Sequence, residues 1–337
     1  MKLALSTIVA AAIALGAGGA AAQEKKLVLH AWAGVWGDAM KAHWFEPFEK
    51  ETGIKVELRP QGSMMESLAK LRAQKDNMDI DLWLTGMTPT ILADEAGILA
   101  SIPKAQLSNA KYLAPGLIGD KYVATWTIFY GIAYNKTKVP FEIKKWDDIL
   151  DPRLKGKLSI PTATGYGGKF IALLSWMGGG NEKNIEPAFT TAKKLMPNVA
   201  VVAKSDPEAI KFLTSGETDV ALMMPPGNFV EIAKAGPQFA FVAPDPWVPA
   251  NFNNFALLKG PNQANAIRFI DFVISKQPQA DFAEKMAVLP VNSEAATPKS
   301  LTAYAPSREK LRVADEATIT KDLNGWAERW NRDIQVR

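Results

Sequence analysis

After residue 26 the chain alternates short apolar or β-branched runs with longer segments of helical period, and before it stands one long, almost uninterrupted apolar run. The alternation predicts strands at Leu27–Leu29, Ile54–Leu58, Ile80–Leu84 and Lys157–Ile160. Between them it predicts helices over Asp38–Thr52, ended by Gly53, over Ser63–Gln74, from the Thr85–Pro89 turn through Ala96, and over Lys169–Met177. Strands that alternate with helices are the pattern of α/β layers. No internal repeat, heptad pattern or low-complexity linker interrupts it.

The first run, Leu3 to Ala22, follows a single positive charge at Lys2, and Ala20-Ala21-Ala22 offers small residues just before the polar Gln23-Glu24-Lys25-Lys26. This reads as an export signal, residues 1–22, with the mature chain starting near Gln23. Its apolar length approaches the roughly 20 residues of a spanning helix, so a retained membrane anchor is the alternative. No later segment is apolar enough to span a bilayer. The expected compartment is therefore the periplasm. What remains after cleavage exceeds what one hydrophobic core usually organises, which predicts two lobes.

Composition adds exclusions. Hydrophobic residues make up 47% and charged residues 22%, close to the soluble average. With Cys at 0 there is no disulfide framework, thiol nucleophile or Cys-based metal site. The net charge of +4 is spread among interspersed acids, so no nucleic-acid-binding stripe is present. It is compatible with an anionic ligand or simply with a solvated basic surface.

Several runs resemble a known family: PFEKETGIKVELRP at 47–60, DIDLWLTG at 79–86, GIAYNKTKV at 131–139, KKWDDILDPRLKGKLSIPTATGYGG at 144–168, LTSGETDVALMMPPGNF at 213–229 and FIDFVISKQPQADFAEKMAVLPVNSEA at 269–295. In these the chain resembles the periplasmic binding proteins of spermidine and putrescine importers, extracellular solute-binding protein family 1. The resemblance implies an α/β fold, a two-lobed type II periplasmic-binding-protein clamshell with the ligand in the cleft between lobes. It also implies a partner, the membrane permease of an ABC importer. The expected division is 23–129 with 256–300 for lobe one and 130–255 with 301–337 for lobe two. Crossings are expected near Thr127–Tyr130, Pro249–Phe255 and Ser300.

A cleft of this kind presents strand ends and helix N-termini from both lobes to one ligand. The first lip is His30–Asp38, HAWAGVWGD. There Gly34 and Gly37 permit close backbone approach, Trp32 and Trp36 offer flat apolar surface or belong to the core, and Asp38 caps or charges the helix start. Trp32 matches an aromatic that the polyamine binders carry after their first strand. The second lip is Thr85-Gly86-Met87-Thr88-Pro89, where Thr85 aligns with a ligand-contacting hydroxyl of the family. Asp79 and Asp81 read as strand-edge solubilising residues. Trp126 lines the cleft or packs at the hinge. From the other lobe come Thr164, Gly165 and Tyr166, in a Gly-rich turn whose amides can cradle an oxyanion. Asn228, Phe252 and Asn254 complete the set. At the turn, at Pro225–Asn228 and at Asn251–Asn254 the polyamine binders place carboxylates and a Trp that this chain lacks. A buried ammonium would find little ionic compensation there, so the expected ligand is a small anion or zwitterion.

The remaining chemistry is negative. His30 and His43 are the only histidines, and no zinc, nucleophile-elbow, Walker or paired-acid signature appears. The tyrosines include no adjacent pair of the kind that iron-binding relatives use. Trp326 and Trp330, at helical spacing, read as packing. The expectation is a monomeric carrier, not an enzyme, with no cofactor and no metal, that delivers a small molecule to a permease. Polyamine uptake and ligand sensing through an exported receptor are the alternatives.

Overall fold

The computed structural model describes residues 25–334, so the expected signal segment lies outside the described residues. The chain begins with β1 (Lys26–Ala31), α1 (Gly34–Met40), a π-turn over Lys41–Phe45, α2 (Glu46–Thr52), β2 (Lys55–Pro60), α3 (Met64–Ala73), β3 (Leu82–Thr85), α4 (Met87–Glu95) and β4 (Tyr122–Phe129). It continues with β5 (Gly131–Asn135), β6 (Leu158–Pro161), α5 (Lys169–Met177), α6 (Glu186–Leu195), β7 (Val199–Ala203), α7 (Asp206–Ser215), β8 (Val220–Met224), α8 (Pro226–Ala233) and β9 (Phe239–Val242). Last come β10 (Val248–Leu257), α9 (Gln263–Val273), α10 (Lys276–Met286), β11 (Leu289–Pro290), β12 (Leu311–Val313) and α11 (Glu316–Asp333).

The strands form two mixed sheets, the α/β architecture of a two-lobed clamshell. A seven-stranded sheet has the order β11-β4-β10-β3-β1-β2 with β12 also on β10, and a five-stranded sheet has the order β7-β6-β8-β5-β9. Strand β1 is buried on both faces, with Leu27, Leu29 and Ala31 in the core beneath α1, α9 and α10 and Val28 in the core beneath α3 and α4. Such double burial suits the parallel β1–β2 and β1–β3 pairs. The larger core is aromatic, built on Trp44, Trp126, Phe255, Phe269 and Phe282. The second lobe has its own core, including Trp146, Phe170 and both Trp326 and Trp330 of α11.

Local signals end the helices where the chemistry demands. Gly53 stands at φ 70 after α2, a left-handed C-cap that glycine adopts without steric penalty. A capping box opens α3, with Glu66 N–H donating to Ser63 Oγ and Ser63 N–H donating to the Glu66 carboxylate, both at 3.3 Å.

The sequence expectations need four corrections. Helix α1 starts at Gly34, so Asp38 lies inside it and neither caps nor opens it. Asp81 is not a strand-edge solubiliser: it is fully buried, accepting from Val28 N–H at 2.8 Å and from Asn262 N–H at 2.7 Å, and it ties β3 to β1 and to the start of α9. Asp79 is exposed and pairs with Arg59. Strand β10 belongs to the larger sheet along its whole length, pairing with β3, β4 and β12, so the second crossing falls between Val242 and Val248, earlier than Pro249–Phe255. The third falls at Ala314–Asp315 rather than near Ser300, because β12 still pairs with β10 before α11 packs on the second lobe. The first crossing is at Tyr130, between β4 and β5.

Candidate functional site

The candidate residues lie where strands give way to helices, at the carboxyl ends of β1, β3, β6 and β8, and on β4 and β10. They gather in three groups.

The first group is tryptophan. Trp32 follows β1, Trp36 is in α1, and Trp126 is in β4. Trp36 stacks on Trp126 with centroids 5.1 Å apart and planes at 18°. Trp32 lies 6.4 Å from Trp36 and 6.3 Å from Trp126. Trp126 is 1% exposed and touches Trp44 and Phe282, so it is the floor; Trp32 and Trp36 are half-buried and form the accessible wall. The glycines permit this. Gly34 stands at φ 63, and a Cβ on Gly37 would come 3.1 Å from the Trp32 carbonyl oxygen.

The second group is polar and buried. Thr85 and Asn254 face each other in register across β3 and β10, both 0% exposed. The Asn254 amide donates to Thr90 Oγ1 at 2.8 Å, and the Thr90 hydroxyl donates to the Gly86 carbonyl at 2.9 Å, which fastens the first turn of α4 to the sheet. Thr85 Oγ1, Asn254 Oδ1 and the Trp126 indole N–H have no protein partner. Phe252 stands apart from the tryptophans, packed in the core and stacked on Tyr122 at 5.7 Å.

The third group belongs to the second lobe. The Gly165–Gly168 turn carries three successive left-handed residues, Tyr166 at φ 53, Gly167 at 66 and Gly168 at 84. A Cβ on Gly168 would come 2.6 Å from Leu323 Cδ1, so the turn is also the seat of α11. Two of the amides that could face an oxyanion are spent: Gly165 N–H donates to the Thr162 carbonyl and Gly168 N–H to that of Thr164. Thr164 itself is exposed. Buried Lys169 donates to the Tyr166 carbonyl at 3.2 Å and pairs with buried Glu316 of α11 at 2.6 Å.

Sequence reasoning missed the residue at the centre of this group. Asp206, the first residue of α7, accepts from the Tyr166 hydroxyl at 2.5 Å and from the Asn228 amide at 2.7 Å. The three stretches that lack the polyamine binders' acids do lack them, but Asp206 brings a carboxylate to the same region from outside them. Tyr130, the crossing residue, lies with its ring 4.7 Å from that of Tyr166. Burial pushes both tyrosine hydroxyls up from their usual range, and the Asp206 charge adds to it. The available signal was Ser205-Asp206-Pro207, an acidic helix start directly after β7, the same kind of strand-to-helix turn as the others.

The lobes meet at the mouth of this region. Thr88 of α4 and Thr320 of α11 share a hydrogen bond of 3.0 Å. Among the described residues no group of three or more His, Cys, Asp or Glu could hold a metal ion, and no helix is long and apolar enough to cross a membrane.

Residues 43–307 match the family described as bacterial extracellular solute-binding protein. The chain is 26% identical to the spermidine/putrescine-binding periplasmic protein of Escherichia coli, over 97% of this chain and 92% of that one. It is 23% identical to the gamma-aminobutyric acid-binding protein of Pseudomonas aeruginosa, over 93% of this chain and 94% of that one. A crystal structure of an ABC transporter from Clostridium perfringens superposes with a TM-score of 0.83 at 26% identity, covering 91% of this chain and 99% of that one.

Proposed function

This chain belongs to the bacterial extracellular solute-binding proteins, and from that premise we propose that it is the substrate-binding component of an ABC-type importer, capturing a small organic solute in the periplasm and delivering it to a membrane permease. The observation that carries the reading is the pairing of two lips: accessible Trp32 and Trp36 at the β1 end of one lobe, and Tyr166 with Asn228 at the β6 and β8 ends of the other. A solute that touches both lips is bound fully only when the lobes close, so it stabilises the closed form in proportion to those extra contacts. The same reading makes the protein a monomeric carrier rather than an enzyme. Lobe one is the unit built on the seven-stranded sheet and lobe two the unit built on the five-stranded sheet with α11.

The solute in this reading is an anion or zwitterion. The relatives named for polyamines and for gamma-aminobutyric acid support a small nitrogenous compound. Polyamine uptake is the second reading, favoured by the Asp206 carboxylate on the second lip. A thermal-shift screen over amines, amino acids, carboxylates, phosphonates and sugars tests both, because a ligand specific to the native state raises the melting temperature by mass action. Amino acids or carboxylates among the hits support the primary reading. Tight spermidine binding with no response to carboxylates would replace it with the second, and a screen without any hit would refute the carrier role.

A further inference from the structure

The Asp206 carboxylate accepts hydrogen bonds from neutral donors alone. Its two oxygens take the Tyr166 hydroxyl and the Asn228 amide. No Lys, Arg or His among the described residues forms an ion pair with it, and nearby Lys169 is committed to Glu316. The α7 N-terminus offsets only part of the charge, since a helix end carries roughly half a unit.

The hydrogen bonds also set the polarity of what remains. A carboxylate only accepts, so the Tyr166 proton is spent on Asp206 and the hydroxyl oxygen can do nothing further but accept. For the same reason Asn228 must turn its nitrogen to Asp206, which leaves its carbonyl oxygen unpaired on the other side. Asp206 and Tyr166 line a cavity of about 100 Å³ with Thr162, Gly165, Ser205 and Ala209; the exposed residue Lys204 also borders it, its backbone N–H donating to the Glu208 carboxylate. That volume holds an ammonium and its adjoining methylene, given that a water occupies about 30 Å³.

We propose that the second lip is a receptor for a cationic nitrogen, with Asp206 supplying the charge and orienting Tyr166 and Asn228 as acceptors. The negative faces of Trp32 and Trp36 on the opposite lip favour the same charge sign. This rests on the carrier reading and narrows it: of an anion and a zwitterion, the solute is the one with an ammonium end.

The test is isothermal titration of the full chain with matched sets of linear diamines, terminal amino acids and diacids, from propane to hexane chain length. Wild-type protein binds members of the ammonium-bearing sets and not the diacids. Asp206→Asn lowers the affinity for those members at least about tenfold, the loss of a charge-assisted contact. Tyr166→Phe and Asn228→Ala, which keep the carboxylate and guard against a folding defect in the first variant, lower it about two- to tenfold. Diacid binding equal to or tighter than that of the amino acids, or an Asp206→Asn affinity within twofold of wild type, overturns the inference while leaving the carrier role intact. Binding of none of the three sets also overturns it, and the wider screen then judges the carrier role alone.

Discussion

The tryptophans divide by what surrounds each ring. Trp32 and Trp36 are half-buried and Trp126 is wholly enclosed by Trp36, Trp44 and Phe282. Trp32→Ala therefore weakens solute binding about tenfold or more with an unchanged melt, whereas Trp126→Ala costs about 3–5 kcal/mol of stability, measured by urea unfolding. Equal melts for the two variants would contradict the division. His30 makes a second residue-scale prediction. It is buried, its Nδ1 lies 2.9 Å from the Arg59 carbonyl, and burial holds its pKa below the usual 6.5, with the charges of Lys70 and Arg59 adding to the effect. A depressed folded pKa means that the unfolded chain binds the proton first as pH falls. The stability is then complete above about pH 6.5 and lost as pH drops toward the folded value. Unfolding free energy measured across that window falls more steeply for wild type than for His30→Asn. At this scale the sequence was partly legible. The Trp and Gly residues of the first lip could be picked out by type and by their place after a strand. Asp206 carried only the weaker mark of an acidic helix start after a strand, and its role was not legible, because its partners Tyr166 and Asn228 lie 40 and 22 residues away and only the folded sheet assembles them.

At the scale of elements, the Gly165–Gly168 turn and α11 form one unit. Gly168 combines a φ of 84 with a Leu323 methyl where a Cβ would stand. Gly168→Ala destabilises the protein by about 1–3 kcal/mol through backbone strain and overpacking. Paired with Leu323→Ala, the double variant is less destabilised than the sum of the singles, since removing the leucine methyls relieves the packing share and leaves the strain. Strict additivity in thermal or urea unfolding would show that α11 does not bear on the turn. Helix α5 was legible in the sequence end to end, since Lys169–Met177 lies between a glycine run and Gly178. The start of α1 was not. Gly34, Val35 and Gly37 are poor helix formers, and the first turn is held by Trp36 against Trp126, a contact that no local signal announces. The second crossing was misplaced for a related reason: β10 is a single strand of ten residues whose polar Asn251–Asn254 stretch reads as a loop until β3, β4 and β12 are laid beside it.

For the whole molecule, the α/β class and two-lobed plan were legible because they follow from alternation and length. One contact that bridges the lobes, Thr88 to Thr320, was not, because nothing in either segment marks it. If that bond belongs to the closed clamshell, Thr88→Val lowers solute affinity about two- to tenfold, mainly through faster dissociation in stopped-flow measurements. A variant with unchanged dissociation would separate the contact from closure. The sheet order carries a different consequence, for the birth of the protein. Strand β3 is paired on one side by β1 and on the other by β10, and β10 in turn needs β4. The centre of the larger sheet therefore cannot be joined until residues near Leu257 have been made, its last strand β12 waits for Val313, and α11, which seats the Gly-rich turn, comes last of all. Pairings so distant in sequence form slowly. Under the proposed periplasmic reading that delay has a use: a chain that cannot finish its larger sheet early would stay pliable long enough to be threaded through a membrane, and would acquire its binding cleft only on the far side.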